Sequence, residues 1–165
     1  MQQYGEYPDT DDTYMIFNVF NRIQKESLKD IDIIPETKDV IDYLREKNIL
    51  IGVTTGFNKE VTDIIANKLS ENDIKIDKYV SSSCLDAPSR PYPHMINHIM
   101  TDFKIENPYS VMKIDDTVVG IKEGKMASVW TTGVARWSTN MRIKTKDEYN
   151  DLSICKRDKK LNKCR

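Results

Sequence analysis

Residues 49–56 read Ile-Leu-Ile-Gly-Val-Thr-Thr-Gly, and this stretch decides the fold class. Its first part, Ile49 to Val53, is a short apolar, β-branched run of the kind found in buried parallel strands. The polar residues 54–56 end the run, and Asn58 is placed to cap a helix that we expect to reach about Glu71. A strand followed directly by a helix is the repeating unit of an α/β domain.

The alternation of strand and helix continues on both sides of this stretch. Apolar residues recur at helical spacing from Thr13 to Lys29, with Asp11 or Asp12 as the expected N-cap. The remaining patterns predict helices at 36–47, 93–103 and 118–125, and strands at 79–82, 110–114 and 128–132. We therefore predict an α/β fold with a mainly parallel sheet and right-handed crossovers.

Composition excludes several classes of function. The chain has 165 residues, 31% charged and 39% hydrophobic, with a formal net charge of -1. This balance is typical of a soluble globular protein and gives no reason to expect nucleic acid or a membrane as a partner. The polar, acidic N-terminus does not resemble a signal peptide, and no apolar run approaches the roughly 18 residues of a membrane span. We expect a cytoplasmic protein.

The thiols and imidazoles give no sign of a metal site or a disulfide. Cys84, Cys155 and Cys164 are odd in number and widely spaced, which favours free thiols in a reducing compartment. His94 and His98 share a helix face, but no further ligand is spaced to complete a zinc site.

Polar clusters follow three of the predicted strands, where ligands of open parallel sheets bind. They are Thr54-Thr55-Gly56, the loop containing Arg90, and Asp115-Asp116-Thr117. Hydroxyl groups and an arginine suit a phosphate group, and paired carboxylates suit Mg²⁺. Each cluster also has an ordinary structural interpretation, as a turn, a surface charge and a helix N-cap respectively. Together they favour a phosphate and magnesium site at one sheet edge.

Five segments of the chain resemble phosphonoacetaldehyde hydrolase, a family of the haloacid-dehalogenase (HAD) superfamily. The similarity extends from about Asp9 to Tyr149 and suggests the C-terminal part, about two-thirds, of such an enzyme. The segments are Ile51-Gly52-Val53-Thr54-Thr55-Gly56-Phe57, Arg90-Pro91-Tyr92-Pro93, Lys113-Ile114-Asp115-Asp116-Thr117, Ile121-Lys122-Glu123-Gly124 and Trp130-Thr131-Thr132-Gly133-Val134.

The resemblance implies a Rossmann-like HAD core, a helical cap and Mg²⁺-dependent cleavage of phosphonoacetaldehyde to acetaldehyde and phosphate. In the family a cap lysine forms a Schiff base with the aldehyde, and an aspartate on the first core strand attacks phosphorus. Thr54 or Thr55 would hold the phosphoryl group and Arg90 would balance its charge. Asp116 would be a Mg²⁺ ligand, with Asp115 as a second carboxylate one position earlier.

The sequence also departs from the family pattern. The nucleophile segment, similar to D-x-A-G-T, does not occur before Tyr14, and the cap lysine is absent with it. Gly120 stands where the pattern G-D-T-x-x-D has its second carboxylate. We therefore expect an N-terminally truncated homologue, inactive alone, whose sheet lacks its first, central strand.

The resemblance implies three segments and leaves three hypotheses open. Residues 1–30 correspond to a lead and a cap-helix remnant, 31–140 to the HAD-like core, and 141–165 to a polar helix and basic tail. Under the first hypothesis, the chain is a non-catalytic remnant that still binds phosphate or a phosphonate. Under the second, it is one part of a split phosphonatase that another polypeptide completes. The third hypothesis is a non-catalytic interaction module, and a homo-oligomer is an alternative source of the missing strand.

Overall fold

The structure, a computed structural model, describes residues 10–29 and 31–134. Strands and helices alternate from α2 onward, so the predicted α/β class is confirmed. The predicted helix and basic tail at 141–165 lie outside the described residues. The elements are α1 (Thr10–Lys29), α2 (Thr37–Glu46), β1 (Gly52–Thr55), α3 (Lys59–Glu71), β2 (Lys78–Ser81), α4 (His94–Asp102), β3 (Met112–Asp115), α5 (Val118–Met126) and β4 (Trp130–Gly133), with 3₁₀ turns at Ser82–Cys84 and Pro108–Ser110.

Several predicted boundaries were wrong. Helix α1 begins at Thr10, so Asp11 and Asp12 lie in its first turn and do not cap it. Their charges still favour the positive end of the helix dipole. Strand β1 begins only at Gly52, because the Ile49 backbone N–H donates to the Leu44 carbonyl at 3.0 Å and closes the end of α2.

The starts of the last two strands also differ from the prediction, for local reasons. The Asn107 side chain accepts a hydrogen bond from the Tyr109 N–H at 3.0 Å, which sets up a 3₁₀ turn before β3. Ser128 has a φ of 60°, so the chain turns there and β4 starts at Trp130. Apolar runs thus mark where strands exist, whereas polar turn residues decide where they begin.

The described residues form two compact units. The first unit contains α1, α2 and all of α3 except Lys59. Leu28, Val61 and Ile74 are buried there. The Lys38 ammonium joins two acidic groups of this unit, the carboxylates of Asp42 at 2.9 Å and Asp73 at 3.4 Å.

The second unit carries all four strands and helices α4 and α5. Strand β1 pairs in parallel with β2, and β3 pairs in parallel with β4. Helix α4 packs on the first pair and α5 on the second. A Cβ on Gly52 would lie 2.8 Å from the Ile99 side chain, so the absent side chain lets β1 approach α4. The buried apolar residues of this unit are Val80, Met95, Ile96, Ile121 and Val129.

The two strand pairs do not join. Within residues 10–29 and 31–134, β1 has only β2 as a partner and β3 has only β4. The second long edge of each of these strands carries backbone groups that a further strand would satisfy. Met112 and Ile114 of β3 are also exposed.

None of the helices within the described ranges combines the length and the apolar character needed to cross a membrane.

Candidate functional site

A cluster of charged and hydroxyl side chains lies at the carboxyl ends of β1 and β3, all within the second unit. Strand β1 contributes Thr54, and β3 contributes Lys113 and Asp115. The loop before α4 contributes Arg90, whose peptide bond to Pro91 is cis, and α5 contributes Glu123. We call these five residues the charged cluster. It contains two basic side chains, one hydroxyl group and two carboxyl groups.

Lys113 is the centre of the charged cluster. Its Nζ donates to the Thr54 hydroxyl at 2.6 Å and lies 3.0 Å from Asp115 Oδ2 and 3.4 Å from Glu123 Oε2. Its side chain is only 10% exposed. One ammonium group therefore links β1, β3 and α5.

Asp115 is held on both of its oxygens. Oδ1 accepts from the Thr117 N–H at 2.9 Å and from the Thr117 hydroxyl at 2.6 Å, while Oδ2 faces Lys113 and lies 3.4 Å from Arg90 Nη1. Burial opposes the charged form, but the Thr117 hydrogen bonds and the Lys113 charge outweigh it, so the pKa of Asp115 lies below its ordinary value. The carboxylate is thus ionised and saturated with donors.

Glu123 is completely buried, and one of its oxygens lacks a partner in the described structure. Oε2 accepts from the Thr54 hydroxyl at 3.3 Å and lies 4.0 Å from Arg90 Nε. Oε1 makes no hydrogen bond, although buried carboxyl oxygens normally have one. An additional donor at this position would satisfy the group.

The two threonines of β1 have different surroundings. Thr54 lies in the charged cluster, whereas the Thr55 hydroxyl accepts the Phe57 N–H at 3.1 Å and stabilises the turn after the strand. Successive strand residues point to opposite faces, which explains the difference. Both were sequence candidates for phosphoryl binding, and that role stays a prediction for each.

Residues 115–120, which stand where the family has the pattern G-D-T-x-x-D, form a capped helix start. Thr117 is the N-cap of α5, and its hydroxyl accepts the Gly120 N–H at 3.0 Å, so the ordinary N-cap interpretation of this motif holds for Thr117. Asp116 is exposed. A Cβ on Gly120 would overlap the Asp115 carboxylate, so only one of these two positions has room for a side chain.

The described residues do not by themselves fit a magnesium site. No three Cys, His, Asp or Glu residues of the described ranges come together as metal ligands. Asp115 already receives four donors, so it would have to release Lys113 and Arg90 to bind a cation. Ligation by Asp116 and Asp115 stays a prediction, and we derive no chemical step through a metal.

Two residues of the charged cluster, Lys113 and Glu123, were missed as site residues by sequence reasoning. Lys113 precedes Asp115 by two positions on one strand, so the strand period places both side chains on one face. That signal was available in the sequence. Glu123 gave no comparable signal, because a helical glutamate is ordinarily solvent-exposed.

The chain matches a known family along most of its length. Residues 1–134 match the model of the haloacid dehalogenase-like hydrolase family, and the chain belongs to that family. Within it, the resemblance is to phosphonoacetaldehyde hydrolases, as the motifs predicted. The proteins of that name from Bacteroides fragilis and Latilactobacillus sakei are 31% and 36% identical to it over 143 and 129 residues.

Solved structures agree on the fold. A phosphonoacetaldehyde hydrolase-like protein from Oleispira antarctica superposes with a TM-score of 0.72 at 22% identity, covering 90% of this chain and 56% of that one. A HAD hydrolase of family IA, variant 3, from Entamoeba histolytica gives 0.71 at 18% identity, covering 92% and 65%. These similarities confirm the predicted HAD-like α/β architecture.

The chain spans about half the length of the curated relatives that it matches. The two alignments above cover 86% and 78% of this chain but 54% and 48% of the relatives. The share is smaller than the two-thirds that the motifs suggested.

Proposed function

We propose that the second unit is the phosphoryl-binding part of a phosphonoacetaldehyde hydrolase-type site, and that the 165-residue polypeptide does not turn over substrate alone. The charged cluster at the ends of β1 and β3 carries this proposal. Arg90 presents a planar guanidinium suited to two phosphoryl oxygens, and Lys113 adds a point charge. The Thr54 hydroxyl, bonded to Lys113 at 2.6 Å, is a third group for an oxyanion.

The expected lack of turnover rests on the state of the carboxyl groups. An attacking carboxylate needs an oxygen that can approach phosphorus. Asp115 has donors on both oxygens, and Glu123 is fully buried inside the charged cluster. Neither carboxyl group of the charged cluster therefore offers an accessible oxygen for attack on phosphorus.

A split site is the second candidate function, and the unjoined strand pairs favour it. A strand inserted between β1 and β3 would pair with both edges by β-augmentation. In the resembled family the nucleophilic aspartate ends such a strand. A donor brought by that strand is also one way to satisfy Glu123 Oε1. The strand would come from a complementing polypeptide, from a second copy, or from a longer form of this chain.

The proposed function includes Mg²⁺ binding, but only together with a further oxygen ligand from outside the described residues. HAD-family hydrolases generally use Mg²⁺, whose preferred ligands are carboxylates, water and phosphate oxygens. We propose that Asp116, with Asp115 as a weaker second ligand, binds Mg²⁺ only when a further oxygen ligand comes from a phosphate or from the completing strand. A pure interaction module would bind neither phosphate nor Mg²⁺.

Acetaldehyde release from phosphonoacetaldehyde with Mg²⁺, followed through a coupled dehydrogenase, tests the proposal. We expect no release from the 165-residue chain. Release should appear on adding a polypeptide with a D-x-A-G-T strand, taken from the half of the Bacteroides fragilis relative that this chain does not cover. It should be lost again in Arg90→Ala. Release by the chain alone would disprove the expected inactivity, and release that persists in Arg90→Ala would disprove the oxyanion role.

A further inference from the structure

The charged cluster already contains an anion where a phosphoryl group would need to bind. The Asp115 carboxylate lies between the two cations, with its Oδ2 3.0 Å from Lys113 Nζ and 3.4 Å from Arg90 Nη1. A carboxylate and two phosphoryl oxygens are geometrically similar acceptors, and arginine and lysine bind both. The cations therefore already face an acceptor of the kind that a phosphorylated substrate would offer to them.

The two cations of the cluster already have acidic partners without a ligand. Arg90 and Lys113 each lie within 4.0 Å of the Asp115 and Glu123 carboxyl groups. Side-chain exposures are 15% for Arg90, 10% for Lys113, 9% for Asp115 and 0% for Glu123, so water screens these groups less than surface pairs. A dianionic phosphate therefore meets cations that already have a partner, and the Asp115 carboxylate opposes it unless that carboxylate moves away.

The two carboxylates differ in how readily they can move. Glu123 is fully buried on α5, whereas Asp115 is the last residue of β3 and is followed by a polar turn. The Asp115 carboxylate fits at this place because residue 120 is glycine. A Cβ on residue 120 would overlap the carboxylate. Thr117 anchors its second oxygen through two hydrogen bonds.

We propose that Asp115 is an internal counterion that occupies the oxyanion site and competes with a bound phosphoryl group for Arg90 and Lys113. This inference rests on the proposed function, because it needs Arg90 to bind the ligand. It adds a property that the proposed function does not contain, namely that the empty site is closed by its own carboxylate. Binding of phosphate then requires Asp115 to release both cations.

The test measures binding of inorganic phosphate to the full 165-residue chain by calorimetry and phosphorus NMR, without metal and with chelator. Asp115→Asn removes the charge but keeps an oxygen for the Thr117 donors, and it should bind phosphate roughly tenfold to a hundredfold more tightly than the parent. Asp86→Asn makes the same charge change at an exposed position before Arg90 and should bind like the parent. Adding Arg90→Gln to Asp115→Asn should abolish the gain.

The outcomes separate this inference from the proposed function. If Asp115→Asn binds like the parent while Arg90→Gln weakens binding, the oxyanion site stands and the counterion is disproved. If neither the parent nor Asp115→Asn binds phosphate, the oxyanion role fails and the counterion fails with it. A gain that survives Arg90→Gln also overturns the inference. Thermal unfolding checks that each variant folds. If Asp115→Asn does not fold, Asp115→Ser takes its place in the phosphate-binding measurement.

Discussion

The carboxylate of Asp115 fills the space that a side chain on Gly120 would need. Strand β3 delivers this carboxylate, and helix α5, which starts at Val118, leaves room for it. Thr117 ties the two positions together, because its hydroxyl donates to Asp115 at 2.6 Å and accepts the Gly120 N–H at 3.0 Å. Positions 115 and 120 are therefore sterically coupled.

This coupling predicts strong non-additivity between two substitutions. Gly120→Ala should destabilise the parent by about 1–3 kcal/mol, because overpacking outweighs the gain in helix propensity. In an Asp115→Gly background the same change should be neutral or slightly stabilising. Urea unfolding of the parent, both single variants and the double variant measures a coupling that we expect to be about 1–3 kcal/mol. Additive effects would show that Asp115 does not occupy this space.

The overlap also changes what is expected when the second carboxylate of the G-D-T-x-x-D pattern is restored at position 120. From the sequence, Gly120→Asp should raise the affinity for Mg²⁺ by returning the second carboxylate of the family pattern. From the structure, the new side chain collides with Asp115, so Gly120→Asp alone should destabilise the chain without improving the site. The exchange Asp115→Gly with Gly120→Asp should give the tighter Mg²⁺ titration. Equal titrations for the parent and the exchanged variant would show that the motif is misplaced.

Acid should weaken the contribution of Asp115 to stability. Its pKa in the folded chain lies below the ordinary value of 3.8, because the Thr117 hydrogen bonds and the Lys113 charge outweigh burial. The stabilisation is therefore fully present above the ordinary carboxyl range and is lost as the pH falls through the lowered pKa.

Comparison with Asp115→Asn isolates this pH dependence. The difference in unfolding free energy between the parent and Asp115→Asn should be largest near about pH 7 and should shrink towards about pH 3. Denaturant unfolding across this range measures it, and Asp86→Asn controls for loss of one negative charge. A difference that is constant with pH would mean that the folded chain does not favour the ionised form.

The fold was largely predictable from the sequence, because short apolar runs separated by capped helices specify a parallel α/β unit almost by themselves. The boundaries of the strands and helices were not predictable, because they depend on single polar contacts such as the Asn107 cap before β3. The apolar spacing of α1 predicted the helix correctly but said nothing of its surroundings. Tyr14, Ile16 and Phe17 are exposed in the structure.

The site was predictable only in part. Strand-end logic found Thr54, Arg90 and Asp115, which the structure brings together, and also Asp116, which it leaves exposed. The sequence does not show that Glu123 of α5 is fully buried next to Thr54 of β1. The burial of Glu123 depends on how α5 packs on β3. Gly124 permits that packing, since a Cβ there would lie 2.5 Å from the Thr131 hydroxyl.

Lys113 should be the residue of the charged cluster whose loss costs most stability. Its ammonium lies within 3.4 Å of both carboxylates and 2.6 Å from Thr54 Oγ1. Lys113→Met keeps the aliphatic stem but removes the ammonium that lies close to both Asp115 and Glu123. We expect a loss of about 3–5 kcal/mol, the typical cost of breaking a buried ion pair from one side.

Two further variants test whether the loss comes from the pairing of Lys113 with Glu123. Lys122→Met makes the same exchange at an exposed position of α5 and should change stability by no more than about 0.5 kcal/mol. Glu123→Gln combined with Lys113→Met removes the carboxylate that lost its partner, so it should recover part of the lost free energy in urea unfolding. If the double variant is as unstable as the sum of the two single variants, the pairing of Lys113 with Glu123 does not account for the loss.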